Sequence, residues 1–131
     1  MLERIKAVLR ERKGDDKGFS LVELAVVIVI IGILVAIAVP IFASVQKNAA
    51  DAAGKAAASN GSAMVASELA ANPTMTAGDA SIAAKLTKLA KDKVTAVEVT
   101  SAATSDLTNY CVTATYTGGN STTSTKGPGC P

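Results

Sequence analysis

Histidine and tryptophan are both absent from this 131-residue sequence, and aromatic residues make up only 3% of it. Without histidine, His-based acid–base chemistry, Ser-His triads and His-ligated metal sites are excluded. The acids of the C-terminal half have neither metal-ligand spacing nor a paired partner; they are Asp79, Asp92, Glu98 and Asp106. We therefore predict that the protein is not an enzyme and has no cofactor or metal.

An excess of charge of one sign is also absent over most of the chain. Residues 19–131 contain seven lysines and seven acidic residues, whereas residues 1–18 contain six lysines and arginines and four acids. The net charge of +2 therefore belongs to the first 18 residues. Because the rest of the chain has no basic face, we expect no nucleic acid to bind through a basic patch.

The sequence does contain one long apolar run. From Leu24 to Val45 there are 22 residues without a charge, and as a helix they extend about 33 Å, close to the thickness of the hydrocarbon core of a bilayer. Basic residues are concentrated before this run and sparse after it. The positive-inside rule then places the N-terminus in the cytoplasm and the C-terminus outside, as in a single-pass cytoplasmic membrane protein.

Three segments follow from this pattern. Residues 1–18 are short and charged and predict a removable leader. Residues 19–45 form the expected membrane-spanning helix, and residues 46–131 form an extracytoplasmic head. Helical periodicity and a high alanine content continue to Ala71, before Asn72-Pro73. We therefore expect the helix to continue from the span into the head.

The head is predicted to be an α+β structure. A short helix is expected near residues 79–91, and alternating β-branched and aromatic residues predict strands near 94–100 and 110–117, with a turn over 106–109. A third strand within the Ser/Thr/Gly-rich segment after these strands is left open. So small a sheet is marginal by itself. The predicted fold is a long N-terminal helix whose second half carries a small antiparallel sheet.

Cysteine is scarce as well. Cys111 and Cys130 both lie in the part predicted to be outside the cytoplasm, where disulfides persist. We expect a bridge between them, and closing a loop of this size contributes on the order of 3 kcal/mol. Two free thiols, or an intermolecular bond through Cys130, are the alternatives.

One acid lies at the start of the apolar run. Ionised Glu23 costs about 2–4 kcal/mol in lipid unless it has a partner or stays near the headgroups. If the chain is cut after Gly18, the new amino group of Phe19 lies one helical turn away, and an identical neighbouring subunit offers the same cation. The alternative is that Glu23 lies in the membrane interface near Lys17.

The stretch Gly18-Phe-Ser-Leu-Val-Glu-Leu resembles the class III signal sequence of type IV pilins and related pseudopilins. The resemblance covers about residues 17–42. It implies that a prepilin peptidase/N-methyltransferase cleaves after Gly18 and methylates Phe19, and that Glu23 neutralises the N-terminus of an adjacent subunit. It also implies identical subunits in a helical filament, with an assembly ATPase and a platform protein as further partners.

Gly32 and Pro40 lie where helices of this family often carry a glycine and a proline. Pro40 removes a backbone hydrogen bond and costs about 3 kcal/mol in a helix interior. We therefore expect a helix break at these residues, which is a bend in lipid and a local unwinding in a filament. A static kink is the alternative.

The function implied by the resemblance is that of a structural subunit of a type IV pilus, displayed on the cell surface for adhesion, motility or DNA uptake. The C-terminal bridge resembles the disulfide-bounded region of type IV pilins and favours a pilus over the alternative, a pseudopilin of a type II secretion or competence system. A second alternative is an exported soluble binding domain cleaved near Ala36-Ile37-Ala38. This alternative is disfavoured, because the apolar run is too long for a signal peptide and continues past the Ala36-Ile37-Ala38 motif.

Overall fold

The computed structural model of the chain describes residues 18–101 and 107–131. These residues belong to an N-terminal unit that ends at Pro40 and a C-terminal unit, Ile41–Pro131. The predicted leader, apart from Gly18, and the first residue of the predicted turn, Asp106, lie outside the described residues. The α+β class is confirmed, with a long N-terminal apolar helix and a small three-stranded antiparallel sheet.

Helix α1 spans Leu21–Ala71 and contains 51 residues. It ends where the sequence predicts, because Asn72 still donates its N–H to the Glu68 carbonyl at 3.0 Å while Pro73 has no N–H with which to continue. Every residue from 21 to 49 is exposed, and the first buried residue is Ala50. Head residues therefore cover α1 only in its second half.

The covered stripe of α1 consists almost entirely of small residues at helical spacing: Ala50, Gly54, Ala57, Ala58, Gly61, Val65 and Leu69. Two glycines set how closely the sheet approaches. A Cβ at Gly54 would collide with the Tyr116 ring, and a Cβ at Gly61 would lie 2.8 Å from Val112 Cγ1. The two glycines lower the intrinsic stability of the helix, but they allow close contact with the sheet.

The sheet has the order β1-β2-β3, with β1 at Val94–Ser101, β2 at Cys111–Tyr116 and β3 at Thr123–Lys126. Both pairings are antiparallel. The strand β2 is central and buries Val112, Ala114 and Tyr116. Its alternate residues Thr113 and Thr115 are half-buried on the other face, as the period of two requires.

Helix α2 spans only Ala80–Leu86, followed by a 3₁₀ turn at Thr87–Leu89, so it is shorter than the helix expected near residues 79–91. Asp79 begins it, and its carboxylate accepts the Thr76 N–H at 2.7 Å. The backbone becomes extended at Ala90, and β1 begins four residues later at Val94. Pairing of this strand in the sheet overrides the local preference for helix. Ile82 and Leu86 are completely buried in the core beneath the sheet.

Two polar contacts add to this apolar core. The Tyr110 hydroxyl donates to the Ser62 carbonyl of α1 at 3.1 Å, and Lys85 of α2 forms an ion pair with Glu68 of α1. The Tyr110 hydrogen bond contributes more to stability, because Tyr110 is buried and a buried hydroxyl without a partner is costly. The ion pair is partly exposed and is worth about 0–1 kcal/mol.

We predict that Gly54→Ala destabilises the head by about 1–3 kcal/mol, because the added methyl group overlaps the Tyr116 ring. Without this overlap, the higher helix propensity of alanine would stabilise the helix by about 1 kcal/mol. Urea unfolding of the full chain in detergent, followed by the near-ultraviolet circular dichroism of its two buried tyrosines, measures the change. Gly32→Ala is the control, because a Cβ there meets no atom within 4 Å, and a Gly54 variant as stable as wild type would contradict the prediction.

The C-terminal residues are held against the start of β2. Cys111 and Cys130 form a disulfide with 4.8 Å between their Cα atoms, so the expected bridge is confirmed. The Gly129 N–H donates to the Tyr110 carbonyl at 3.0 Å. At Gly127, φ is +149° and a Cβ would strike the same carbonyl, so only glycine fits this close approach.

Replacing both cysteines with serine is predicted to lower the stability of the head by about 3 kcal/mol through loss of the closed loop. Hydrogen exchange should rise first in residues 123–131, since the tail holds the edge strand to the centre of the sheet. The same urea titration, with wild-type protein under reducing conditions as the matched control, tests this. Unchanged stability in both samples would show that the bridge does not stabilise the head.

Candidate functional site

The functional site predicted from the sequence lies at the start of α1. Gly18, Phe19 and Ser20 precede the helix and are exposed, with Phe19 80% exposed. The helix begins at Leu21, and the Leu24 N–H already donates to the Ser20 carbonyl at 3.1 Å. A peptidase that cleaves after Gly18 therefore meets a non-helical backbone immediately before a helix.

Ser20 and Glu23 cap this helix reciprocally. The Ser20 hydroxyl accepts the Val22 N–H at 3.3 Å, and the Glu23 carboxylate accepts the Ser20 N–H at 3.0 Å. This is a capping box, in which both side chains satisfy N–H groups that have no partner inside the helix. The spacing Ser-x-x-Glu before an apolar run signals it, and our reasoning from the sequence overlooked it.

Glu23 thus has a local partner before any assembly takes place. Its proximity to the helix N-terminus is also favourable, because the helix dipole stabilises an anion there. Among residues 18–101 and 107–131, the structure shows an ion pair between Lys85 and Glu68 and none at Glu23. The Phe19 nitrogen belongs here to the peptide bond with Gly18, so the pairing of Glu23 with a free Phe19 amine stays a prediction.

The apolar run after Glu23 is exposed along its whole length. Large side chains such as Ile28, Leu34 and Phe42 are 60%, 61% and 63% exposed. By length and composition, α1 is long and apolar enough to cross a membrane. A soluble protein rarely exposes so much contiguous apolar surface, which therefore requires lipid or a neighbouring protein.

Gly32 and Pro40 both lie inside α1, which is assigned as one helix across both positions. A Cβ at Gly32 would meet no atom of the described residues within 4 Å, so packing against them does not require glycine at this position. Pro40 lacks the N–H that would donate to residue 36. The expected helix break at these two residues stays a prediction.

Nothing in the described part of the chain resembles a catalytic centre. No group of three or more His, Cys, Asp or Glu residues that could hold a metal occurs there, and no charged side chain among these residues is buried. The chemistry-bearing residues brought together at the helix start are Ser20 and Glu23.

Comparison with known proteins agrees with this interpretation of the N-terminus. Residues 13–39 match the family model described as the prokaryotic N-terminal methylation motif. A 44-residue segment is 64% identical to the type IV narrow pilus major component PilA5 of Thermus thermophilus, and it covers 32% of this chain and 38% of that relative. No solved structure matches the chain.

The capped start of α1 and the first part of its exposed apolar surface lie within the segment that matches this motif. Through this N-terminal segment, the chain resembles the type IV pilins, and it covers less than half of the length of the matched relative. Type IV pilins are structural subunits rather than enzymes, so the resemblance agrees with the prediction that this protein is not an enzyme.

Ser20→Ala is predicted to destabilise the first turn of α1 by about 1 kcal/mol, because the Val22 N–H loses its acceptor. Amide exchange at residues 22–24 of the full chain in detergent should become about fivefold faster. Ser20→Thr keeps a hydroxyl and serves as the control. Identical exchange in the alanine and threonine variants would contradict a capping role for Ser20.

Proposed function

We propose that this protein is a subunit of a type IV pilus, processed after Gly18, methylated at Phe19 and polymerised through the exposed apolar part of α1. The observation that supports this most strongly is the uncovered apolar surface of residues 24–45 directly after a capped Glu23. The surface is compatible with lipid before assembly and with neighbouring helices afterwards. The same residues thus serve first as a membrane span and then as a filament core.

The proposed topology follows from the charges around the span. Basic residues precede it, so the N-terminus lies in the cytoplasm and the head, residues 46–131, lies outside. The Cys111–Cys130 disulfide supports this side for the head, because such bonds persist outside the cytoplasm. Extraction from the membrane then needs a cytoplasmic ATPase and a platform protein, both supplied by other chains.

In the filament, Glu23 is proposed to accept the methylated amine of Phe19 from a neighbouring subunit. An ionised carboxylate inside an apolar filament core is costly unless it is paired. A subunit placed one position away would leave the charge unpaired, so the pair sets the register of the assembly. Glu23 thereby acts in subunit selection as well as in capping its own helix.

A pseudopilin of a type II secretion or competence system is the second candidate. It would share the N-terminal segment in full, because processing and membrane storage are the same for both. The disulfide-bounded C-terminal segment favours the pilus subunit, since it resembles the corresponding region of type IV pilins. The two candidates differ in where the processed protein is found.

The test is to shear filaments from cells that make this protein, pellet them, and take the intact non-reduced mass. We expect a species that begins at Phe19, heavier by one methyl group and lighter by the two hydrogens of the disulfide. A processed chain that stays with the cells would instead identify a pseudopilin. An N-terminus beyond Ala38 would show an exported soluble domain and overturn the pilin proposal.

Glu23→Gln is the matched variant, because glutamine keeps the capping box but carries no charge. It should still be processed at Phe19 and should be absent from the sheared fraction. Ser20→Ala provides the complementary control, since it loses one half of the cap and keeps the charge. Normal filaments from the Gln variant would refute the proposed pairing of Glu23 with a neighbouring amine.

A further inference from the structure

The apolar run of α1 ends close to the level at which the head begins. Val45 is its last residue, Gln46 and Lys47 follow, and burial by head residues starts at Ala50. All of these residues lie in one continuous helix and in the C-terminal unit. Because a helix rises about 1.5 Å per residue, Val45 and Ala50 are about 7.5 Å apart along its axis.

The turn that joins β2 to β3, residues 117–122, reaches closer still to the end of the apolar run. Its Asn120 side-chain amide donates to the Asn48 Oδ1 atom at 3.3 Å. Asn48 follows Val45 by about 4.5 Å along the helix axis. The turn is therefore level with the first polar residues that follow the apolar run.

Asp51 holds the turn in this position. Its Oδ2 atom accepts the Asn120 N–H at 3.2 Å and the Asn120 side-chain amide at 2.9 Å, and its Oδ1 atom accepts the Ser121 N–H at 3.2 Å. The Ser121 N–H, followed by the amide groups of Asn120, holds the pKa of Asp51 below its ordinary value despite partial desolvation. Gly118 has φ +81°, which favours glycine, and a Cβ at Gly119 would collide with Asp51 Oδ1.

The dimensions of a bilayer then decide where the turn lies. The hydrocarbon core is about 30 Å thick and the whole bilayer about 40–45 Å, so each headgroup layer is roughly 5–8 Å deep. When the apolar run spans the core, Val45 lies at the edge of the hydrocarbon. Asn48 is then at most about 4.5 Å further out, since tilt of the helix only shortens this distance. Asn48 and the turn bonded to it are therefore inside the headgroup layer.

The side chains at the turn suit this layer. Residues 107–125 include no charged residue, and the turn itself consists of threonine, glycine, asparagine and serine. Lys47 is exposed on the helix, and the Lys93 ammonium lies beside Gly118, 3.2 Å from the position of a Cβ there. Lysines at a membrane surface are attracted to anionic lipids, and their long side chains reach the headgroups. The surface thus offers hydroxyl and amide groups together with two cations.

We infer that the turn of residues 117–122, together with Lys47 and Lys93, is a lipid-binding surface that lies among phosphate-bearing headgroups and prefers anionic lipid. The inference rests on the proposed storage of the subunit in the membrane, and it adds a contact made by the head itself. Transfer of the subunit into a filament then has to break this contact as well as remove the apolar run from lipid.

The alternative is that the head stands in water beyond the bilayer, and that the Asn48 contact only holds the turn on the helix. This arrangement requires the helix to leave the hydrocarbon before Val45, so that water covers the last part of the apolar run. The two arrangements differ in the distance between the turn and the lipid headgroups, which can be measured.

The sequence contains no tryptophan, so one tryptophan introduced at the turn is a unique fluorophore. Thr122→Trp is suitable, because residue 122 is exposed and uses its backbone carbonyl to accept the Tyr116 N–H. The full chain is placed in phosphatidylcholine nanodiscs in which part of the lipid carries a nitroxide, a short-range quencher, on its headgroup. We expect most of the fluorescence of the Thr122→Trp chain to be lost.

Ala71→Trp is the matched control. Ala71 is also exposed, and it lies about 35 Å beyond Asn48 along the helix. Tryptophan has the same preference for membrane interfaces at both positions, so this preference alone does not produce a difference. The fluorescence of the control should be unchanged by the nitroxide. Slow amide exchange in the buried strand β2 shows that the head of each variant is folded.

Ile33→Trp separates failure of the inference from failure of the proposed function. Quenching of this variant by a nitroxide deep in the acyl chains shows that the apolar run is in the hydrocarbon. If it is quenched and Thr122→Trp is not quenched by the headgroup nitroxide, the inference alone is overturned. If Ile33→Trp is not quenched, the proposed membrane storage is overturned together with the inference.

The two lysines are tested in the Thr122→Trp chain by quenching with phosphatidylglycerol or phosphatidylcholine that carries a nitroxide near the top of its acyl chain. Lys47→Gln and Lys93→Gln should each lower the preference for the anionic phosphatidylglycerol by about fivefold. Lys126→Gln is the control, because Lys126 is exposed and lies at the end of β3 that is remote from the turn. The same lipid preference in all three variants would overturn the proposed role of Lys47 and Lys93.

Discussion

Among residues 18–101 and 107–131, none covers the apolar surface of residues 24–45, and this constraint shapes the rest of the described structure. A side chain such as Ile28 or Leu34 left in water forgoes about 1.5–3 kcal/mol of burial free energy. Summed over the run, the loss exceeds the net stability of a typical domain. This surface therefore favours lipid or other helices as its surroundings, and the head has to fold without using these residues.

The head packs instead on the second half of α1, where the buried side of the helix carries mostly alanine and glycine. Alanines and glycines on one side of α1 let the sheet approach closely, so that Tyr116 and Val112 lie directly on the helix backbone. Dispersion contacts are dense at such short range, which compensates for the small apolar area that alanine and glycine offer. The disulfide then closes a domain whose sheet has only three strands.

How much of this was predictable depends on the range of each interaction. The apolar run, the end of α1 at Asn72-Pro73 and the strand alternation are local patterns, and the sequence predicts them. The capping box is equally local and was missed because only the charge of Glu23 was weighed. The contact of Asp51 with Asn120 spans 69 positions, and an acid between two lysines on a helix has the pattern of an ordinary solvated residue. Only the register of the sheet brings the turn to this carboxylate.

Under the proposed function, Glu23 has two roles, one as a helix cap and one in the assembled filament. Its Oε2 atom accepts the Ser20 N–H, and a carboxylate has about four acceptor positions. A neighbouring amine can therefore bind without displacing the cap. The cap then holds the acid in place before the amine arrives, and less conformational entropy is lost when the ion pair forms. Serine at position 20 contributes to the cap that fixes the helix start at which Glu23 lies.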